Sequence, residues 1–169
     1  MKLIFTSRKT LLARLIRFFT SSKVSHVLIG DLHFYGQPVV MHSTHGGLRI
    51  DTFEVWQQRT DSTVYEVWEI IPDVSSAIPV LAAKLGSGYD LPNLFGNALS
   101  ILMRKLGVKL RNLFADPERF VCSELVVHLD PSGLKIPEFK KLDPEKTSAE
   151  DLLQICRKSG RFRRADESK

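Results

Sequence analysis

A chain of 169 residues, 43% hydrophobic and 25% charged, has room for one globular domain and is not a disordered polymer. Its 24 Lys and Arg against 19 Asp and Glu give a net charge of +5, which favours anionic partners (wall polymers, phospholipid or nucleic acid) without choosing among them. Two cysteines, Cys122 and Cys156, exclude a disulfide-rich scaffold and a four-cysteine zinc site.

Lys2 to Thr6 is a short apolar stretch that predicts a strand. Lys9 to Thr20 has helical spacing, with apolar residues at 11, 12, 15, 16 and 19 and basic ones at 8, 9, 14 and 17. Arg14 and Arg17 interrupt its apolar run, which is too short to cross a bilayer and makes a poor signal-peptide core. The expected setting is therefore the cytoplasm, or delivery without a standard N-terminal signal, for example as a phage component. Val24 to Gly30 reads as a buried strand, Asp31 to Gln37 as a turn region, and Pro38 to Ser43 as a second strand. Gly46-Gly47 turns the chain into Leu48-Arg49-Ile50. Thr63 to Ile71 alternates as a strand does, and Pro72 ends it.

Beyond Pro72 the pattern is helical. Ser75 to Leu85 and Leu94 to Leu106 are candidate helices closed by Gly86 and Gly107. Asp116-Pro117-Glu118 has the form of a helix opening, and the apolar stretch after it carries Cys122. Ser148 to Lys158 is a last helix with Ser148 as cap and Asp151 in the capping-box position. Arg161 to Lys169 reads as a frayed, charged tail, which gives a domain over 1–158 and a flexible tail over 159–169. Strands cluster in the first half and helices in the second. That segregation predicts the α+β class, a small antiparallel sheet with helices packed on it.

Three residues could carry chemistry. Cys122 lies in Arg119-Phe120-Val121-Cys122-Ser123-Glu124. At a helix start, backbone amides would favour its thiolate, the nucleophile of acyl-transfer enzymes; the plain alternative is a buried structural cysteine. His26 sits inside the apolar strand Val24-Ser25-His26-Val27-Leu28. Beside a cysteine it is the base that takes the thiol proton, and alone it is a core histidine with a partner. His42 lies on the following strand, where antiparallel pairing can set it beside His26 as the residue that orients the ring. A metal site built on His42 and His45 is the alternative, but a spacing of three on a strand or turn suits it poorly.

Together the Ser25-His26-Val27 strand, the His42 strand and Phe120-Val121-Cys122-Ser123-Glu124-Leu125-Val126 resemble the circularly permuted papain-like cysteine peptidases and amidases, the NlpC-type superfamily in its YiiX/YaeF-like branch. In that branch, as here, the histidine precedes the cysteine. Gly88-Tyr89-Asp90-Leu91 and Leu142-Asp143-Pro144 resemble weaker family elements. The resemblance spans about residues 2 to 155. It implies a permuted papain-like fold with the nucleophile at a helix N-terminus. It further implies Cys122 as nucleophile, His26 as base, His42 as orienting third residue and Tyr89 as a residue lining the substrate cleft. No cofactor and no metal are implied. The implied activity is amide hydrolysis in a peptidoglycan-type peptide. A related branch, resembling lecithin:retinol acyltransferase, implies lipid esters instead, and a scaffold without turnover would be a binding module.

The basic helical stretches, Arg8 to Arg17 and Leu94 to Phe114, ordinarily pack on a core and solvate their charges. The alternative is contact with a membrane surface or an anionic polymer. No helix-turn-helix, zinc-finger or aromatic-plus-basic sheet motif points to nucleic acid.

Overall fold

The structure, a computed structural model, describes residues 1–34, 36–44, 47–86 and 122–165. They form a mixed α+β fold around one six-stranded antiparallel sheet. The strands are β1 (Lys2–Arg8), β2 (His26–Phe34), β3 (Gln37–Thr44), β4 (Gly47–Thr52), β5 (Ser62–Ile70) and β6 (Phe162–Arg164), in the order β4-β3-β2-β1-β5-β6. The helices are α1 (Leu11–Thr20), α2 (Phe53–Arg59), α3 (Ile78–Ala82), α4 (Cys122–Val127) and α5 (Ala149–Lys158).

The central strands are covered on both faces, which is why their sequences run apolar rather than alternating. Leu3, Phe5, Val27, Ile29 and Met41 join Leu125, Val126, Leu152 and Leu153 of α4 and α5 in the larger core. The pleat sends the intervening residues Ile4, Leu28 and Val40 to the opposite face, where they meet the fully buried Trp56 of α2. An added Cβ at Gly30 would lie 2.6 Å from Ile4 Cδ1, so the end of the Ile4 side chain would have to shift to admit it.

Several boundaries follow local chemistry. Thr10 caps α1, its hydroxyl accepting from the Ala13 amide at 3.3 Å, so the helix opens at Leu11 rather than Lys9. The expected turn over Asp31 to Gln37 is mostly strand: β2 runs on to Phe34 and β3 begins at Gln37. Helix α2 has no counterpart in the sequence reading, because seven residues are too few to display a helical period. Its cap is Thr52, which accepts from the Val55 amide at 3.2 Å. The capping box at Ser148 and Asp151 is present. Candidate elements between 87 and 121, with the Leu94 to Leu106 helix and the Asp116 opening, lie outside the described residues.

The frayed tail over 159–169 is corrected in part. Phe162–Arg164 forms β6, pairing Trp68 with Arg164 and Ile70 with Phe162. Phe162 is 5% exposed and packs 6.2 Å from the Phe139 ring. One buried aromatic between arginines anchors the segment, and the surrounding charge hides that signal in the sequence.

The same edge of the sheet is held by a buried charge. Glu66 of β5 accepts from Trp68 Nε1 at 2.9 Å and pairs with Arg157 of α5. Burial works to raise the Glu66 pKa, but the hydrogen bonds from Arg157 and Trp68 win and lower it below the ordinary 4.5. Replacing Glu66 with Ala is expected to cost about 1–3 kcal/mol of stability near neutral pH. A carboxylate whose pKa is depressed by folding stabilises fully above its unfolded pKa and loses that contribution as the pH falls. The gap between wild type and Glu66→Ala should therefore narrow in denaturant melts below about pH 4.5. A constant gap down to pH 3 would contradict the ionic origin.

Candidate active site

His26 and His42 come from adjacent antiparallel strands. His26 opens β2 in register with Thr6 of β1. The pairing of Ile29 with Met41 sets His42 beside Leu28 and on the diagonal from His26. Both rings thus stand on the Trp56 face, their centroids 6.3 Å apart and nearly perpendicular at 89°. The Trp56 ring lies 6.5 Å from His42 and closes the site from α2. His26 is 6% exposed and His42 is 2% exposed.

This burial sets the charge state. Burial lowers the His26 pKa well below 6.5; the Arg8 charge, and repulsion from His42 when both rings are protonated, add to the effect. The His42 pKa is lowered too, first by burial and then by Arg8 and Arg49; the hydrogen bond and charge of Asp51 oppose the shift without reversing it. Both imidazoles are neutral at pH 7. A neutral imidazole has one bare nitrogen and can accept a proton.

Asp51 of β4 is the polar partner of the pair. It sits opposite Val40, hence on the face of His42, and its Oδ2 lies 3.0 Å from His42 Nε2. Arg59 of α2 donates to the other carboxylate oxygen at 3.4 Å. Asp51, Trp56 and Arg8 were not singled out from the sequence. An Asp in the strand after His42 is a visible signal, but only the β3–β4 register makes it a neighbour.

Cys122 lies in α4, which packs on β2 and β3. The thiol is 8% exposed and free, as is the buried Cys156 of α5. Burial raises the Cys122 pKa above the ordinary 9.0, against the opposing effect of the Val27 amide, the Arg8 charge, and the amides of Ser123 and Cys122 itself. The sulfur is therefore a protonated thiol surrounded by N–H groups suited to negative charge.

The three expected residues are thus gathered at one end of β2, with a specific division. Val27, whose amide serves the Cys122 sulfur, follows His26 directly in the chain. Among the described residues no hydrogen bond joins Cys122 to His26. Successive strand residues point to opposite faces, so the Val27 side chain enters the core that holds Cys122 while the His26 ring takes the side of Leu28. His26 is the first residue of β2.

Tyr89 and His45 lie outside the described residues. A separate concavity of about 580 Å³ lies towards the other end of β2, lined by Asp31, Leu32, His33, Pro72 and Ile78, and contains none of the three. Among the described residues no helix is long and apolar enough to cross a membrane. In comparisons with known proteins, no family model and no curated protein matches the chain.

Proposed function

We propose that the chain is a thiol hydrolase of permuted papain-like architecture that cleaves an amide, with Cys122 as nucleophile, His26 as base and His42 as its orienting partner. The observation that carries this reading is a buried cysteine on α4, which packs on β2, at whose start two buried, neutral histidines stand edge to face. His26 takes the thiol proton as the sulfur attacks the carbonyl carbon, and the tetrahedral oxyanion is met by backbone N–H groups such as that of Cys122. Collapse expels the amine, which takes the proton from His26. Water, deprotonated by the same ring, then releases the acid and restores the thiol. The reading requires the His26 imidazole to reach the sulfur past the start of β2.

Peptidoglycan-type stem peptides are the first substrate class proposed, with lipid esters as the alternative on the same residues. The basic faces suit an anionic polymer or membrane surface as partner. A non-catalytic papain-like binding module is the second reading. The absence of a Cys122–His26 hydrogen bond among the described residues and the raised thiol pKa favour it.

The test is mass analysis after incubation with peptidoglycan stem peptides and, separately, with a lipid-ester panel. Cleaved amide together with a trapped acyl adduct on Cys122 is expected. Ester turnover alone moves the chain to the lipid branch, and neither product nor adduct in either panel leaves the binding module.

A further inference from the structure

Helix α1 joins β1 to β2 at the end of the sheet where Thr6 pairs with His26. Hydrogen bonds stitch its two flanks together there. The Ser25 amide donates to the Thr6 carbonyl at 2.9 Å, and the Arg8 amide donates to the Ser25 hydroxyl at 3.2 Å. The helix itself is pinned by Arg17, which donates to the Ser7 hydroxyl at 2.8 Å and to the Arg8 carbonyl at 2.6 Å, and by the buried Ala13. Held so, α1 turns outward the face of Leu11, Arg14 and Phe18, which share one side at i, i+3 and i+7. Leu11 is 71% exposed and Phe18 is 74% exposed, with the exposed Arg14 between them. The two apolar residues stand two turns apart, about 10 Å along the helix.

The charge around this face has one sign. Residues 1–30 contain six Lys or Arg and no Asp or Glu. Asp61, near the start of α1, is tied to Lys9 at 3.3 Å, and Glu150 of α5, near its end, accepts from the Ser22 hydroxyl at 2.5 Å. Arg14 and, just past the helix, Lys23 are exposed cations. We infer that the outer face of α1 is a membrane-docking surface, with Leu11 and Phe18 entering the acyl boundary of an anionic bilayer while Arg14 meets its phosphate headgroups. Apolar side chains gain by leaving water only against hydrocarbon; a hydrated anionic polymer would take the arginine and leave both of them in water. A second copy seated two-fold on the same face would bring Arg14 against its own counterpart. The docking is independent of the hydrolase reading; its use, to bring lipid-borne substrate to the end of the sheet that holds His26, rests on that reading.

Flotation of the full chain with lipid vesicles tests the inference. Vesicles of phosphatidylcholine with about one-third phosphatidylglycerol should carry the protein at low salt, and phosphatidylcholine alone should not. Phe18→Ser should weaken partitioning about tenfold and Leu11→Ser about fivefold, since each gives up the burial of one apolar side chain. Arg14→Glu should weaken it roughly 25-fold, a change of two charges at about fivefold each. The exposed Leu134, on the loop that Lys135 ties to Asp73 beside the concavity at the other end of β2, is the control, and Leu134→Ser should change nothing. All four positions are exposed, so the variants should melt with the wild type; where one apolar variant does not fold, the other carries the test. A wild type that does not float with the anionic vesicles would overturn the inference. So would folded Leu11 and Phe18 variants that float like the wild type, the mark of a contact made by charge alone, as with an anionic polymer. Flotation without turnover of vesicle-borne esters would leave the docking standing and remove lipid esters from the hydrolase reading.

Discussion

Cys122→Ala and His26→Ala should each lower kcat by roughly 10⁴-fold or more, and the double variant should be no worse than either alone. The reason is that nucleophile and base perform one step: without the sulfur no acyl-enzyme forms, and without the imidazole the thiol keeps its proton. The second loss is the more telling here. Burial pushes the Cys122 thiol up, so little thiolate exists at neutral pH for substrate to meet unaided. His42→Ala should be milder, about 10- to 100-fold, because water or a neighbour can take over part of an orienting role. Each rate must be read on folded protein, checked by thermal melting. Full activity in Cys122→Ala would end the mechanism, and a His42 variant as inactive as Cys122→Ala would make His42 a full partner in proton transfer.

The stability of the fold should itself report the site through its pH dependence. His26 is neutral in the folded chain because burial, with Arg8 and His42 adding to it, holds its pKa well below the ordinary 6.5. The unfolded chain therefore binds a proton more readily than the folded one. Such a group contributes fully above pH 6.5, and stability is lost as the pH falls below it. His42 and His128, both lowered chiefly by burial, add to the same acid flank. Cys122 acts with the opposite sign. Its raised pKa contributes fully below the ordinary 9.0 and is lost as the pH climbs through that value. Denaturant melts from pH 4.5 to 10 should give a plateau between these limits. His26→Leu should flatten the acid flank by up to about 1.4 kcal/mol per pH unit, the most one proton can contribute. Cys122→Ala should flatten the alkaline flank. An acid slope identical in wild type and His26→Leu would mean that the ring is solvated and free to protonate.

These two experiments bear on parts of the site that were unequally legible in the sequence. The α+β class follows from where apolar alternation stops and helical spacing starts, near Pro72, and the six-stranded antiparallel sheet has that character. The capping box at Ser148 was readable because capping is a contact between residues three apart. Cys122, His26 and His42 stood out because each is a reactive or titratable side chain in an apolar run, where such groups are costly unless they are used or paired.

What tertiary structure alone decided is of another kind. The pairing of His42 with Asp51 depends on the β3–β4 register, and a slip of one residue would turn the carboxylate to the other face. Trp56 joins the site only because α2 folds back over the sheet. Arg8 acts on His26, His42 and Cys122 together from the end of β1, far from all but the first of them in the chain. The charge states are also a product of the fold, since an imidazole or a thiol has its ordinary pKa until other residues remove the water around it. The local pattern of apolar and polar residues determined which segments are strands and helices and which side chains are candidates. Register, pleat and burial, which are properties of residues distant in the chain, decided which of those candidates meet, on which face of the sheet, and with what charge.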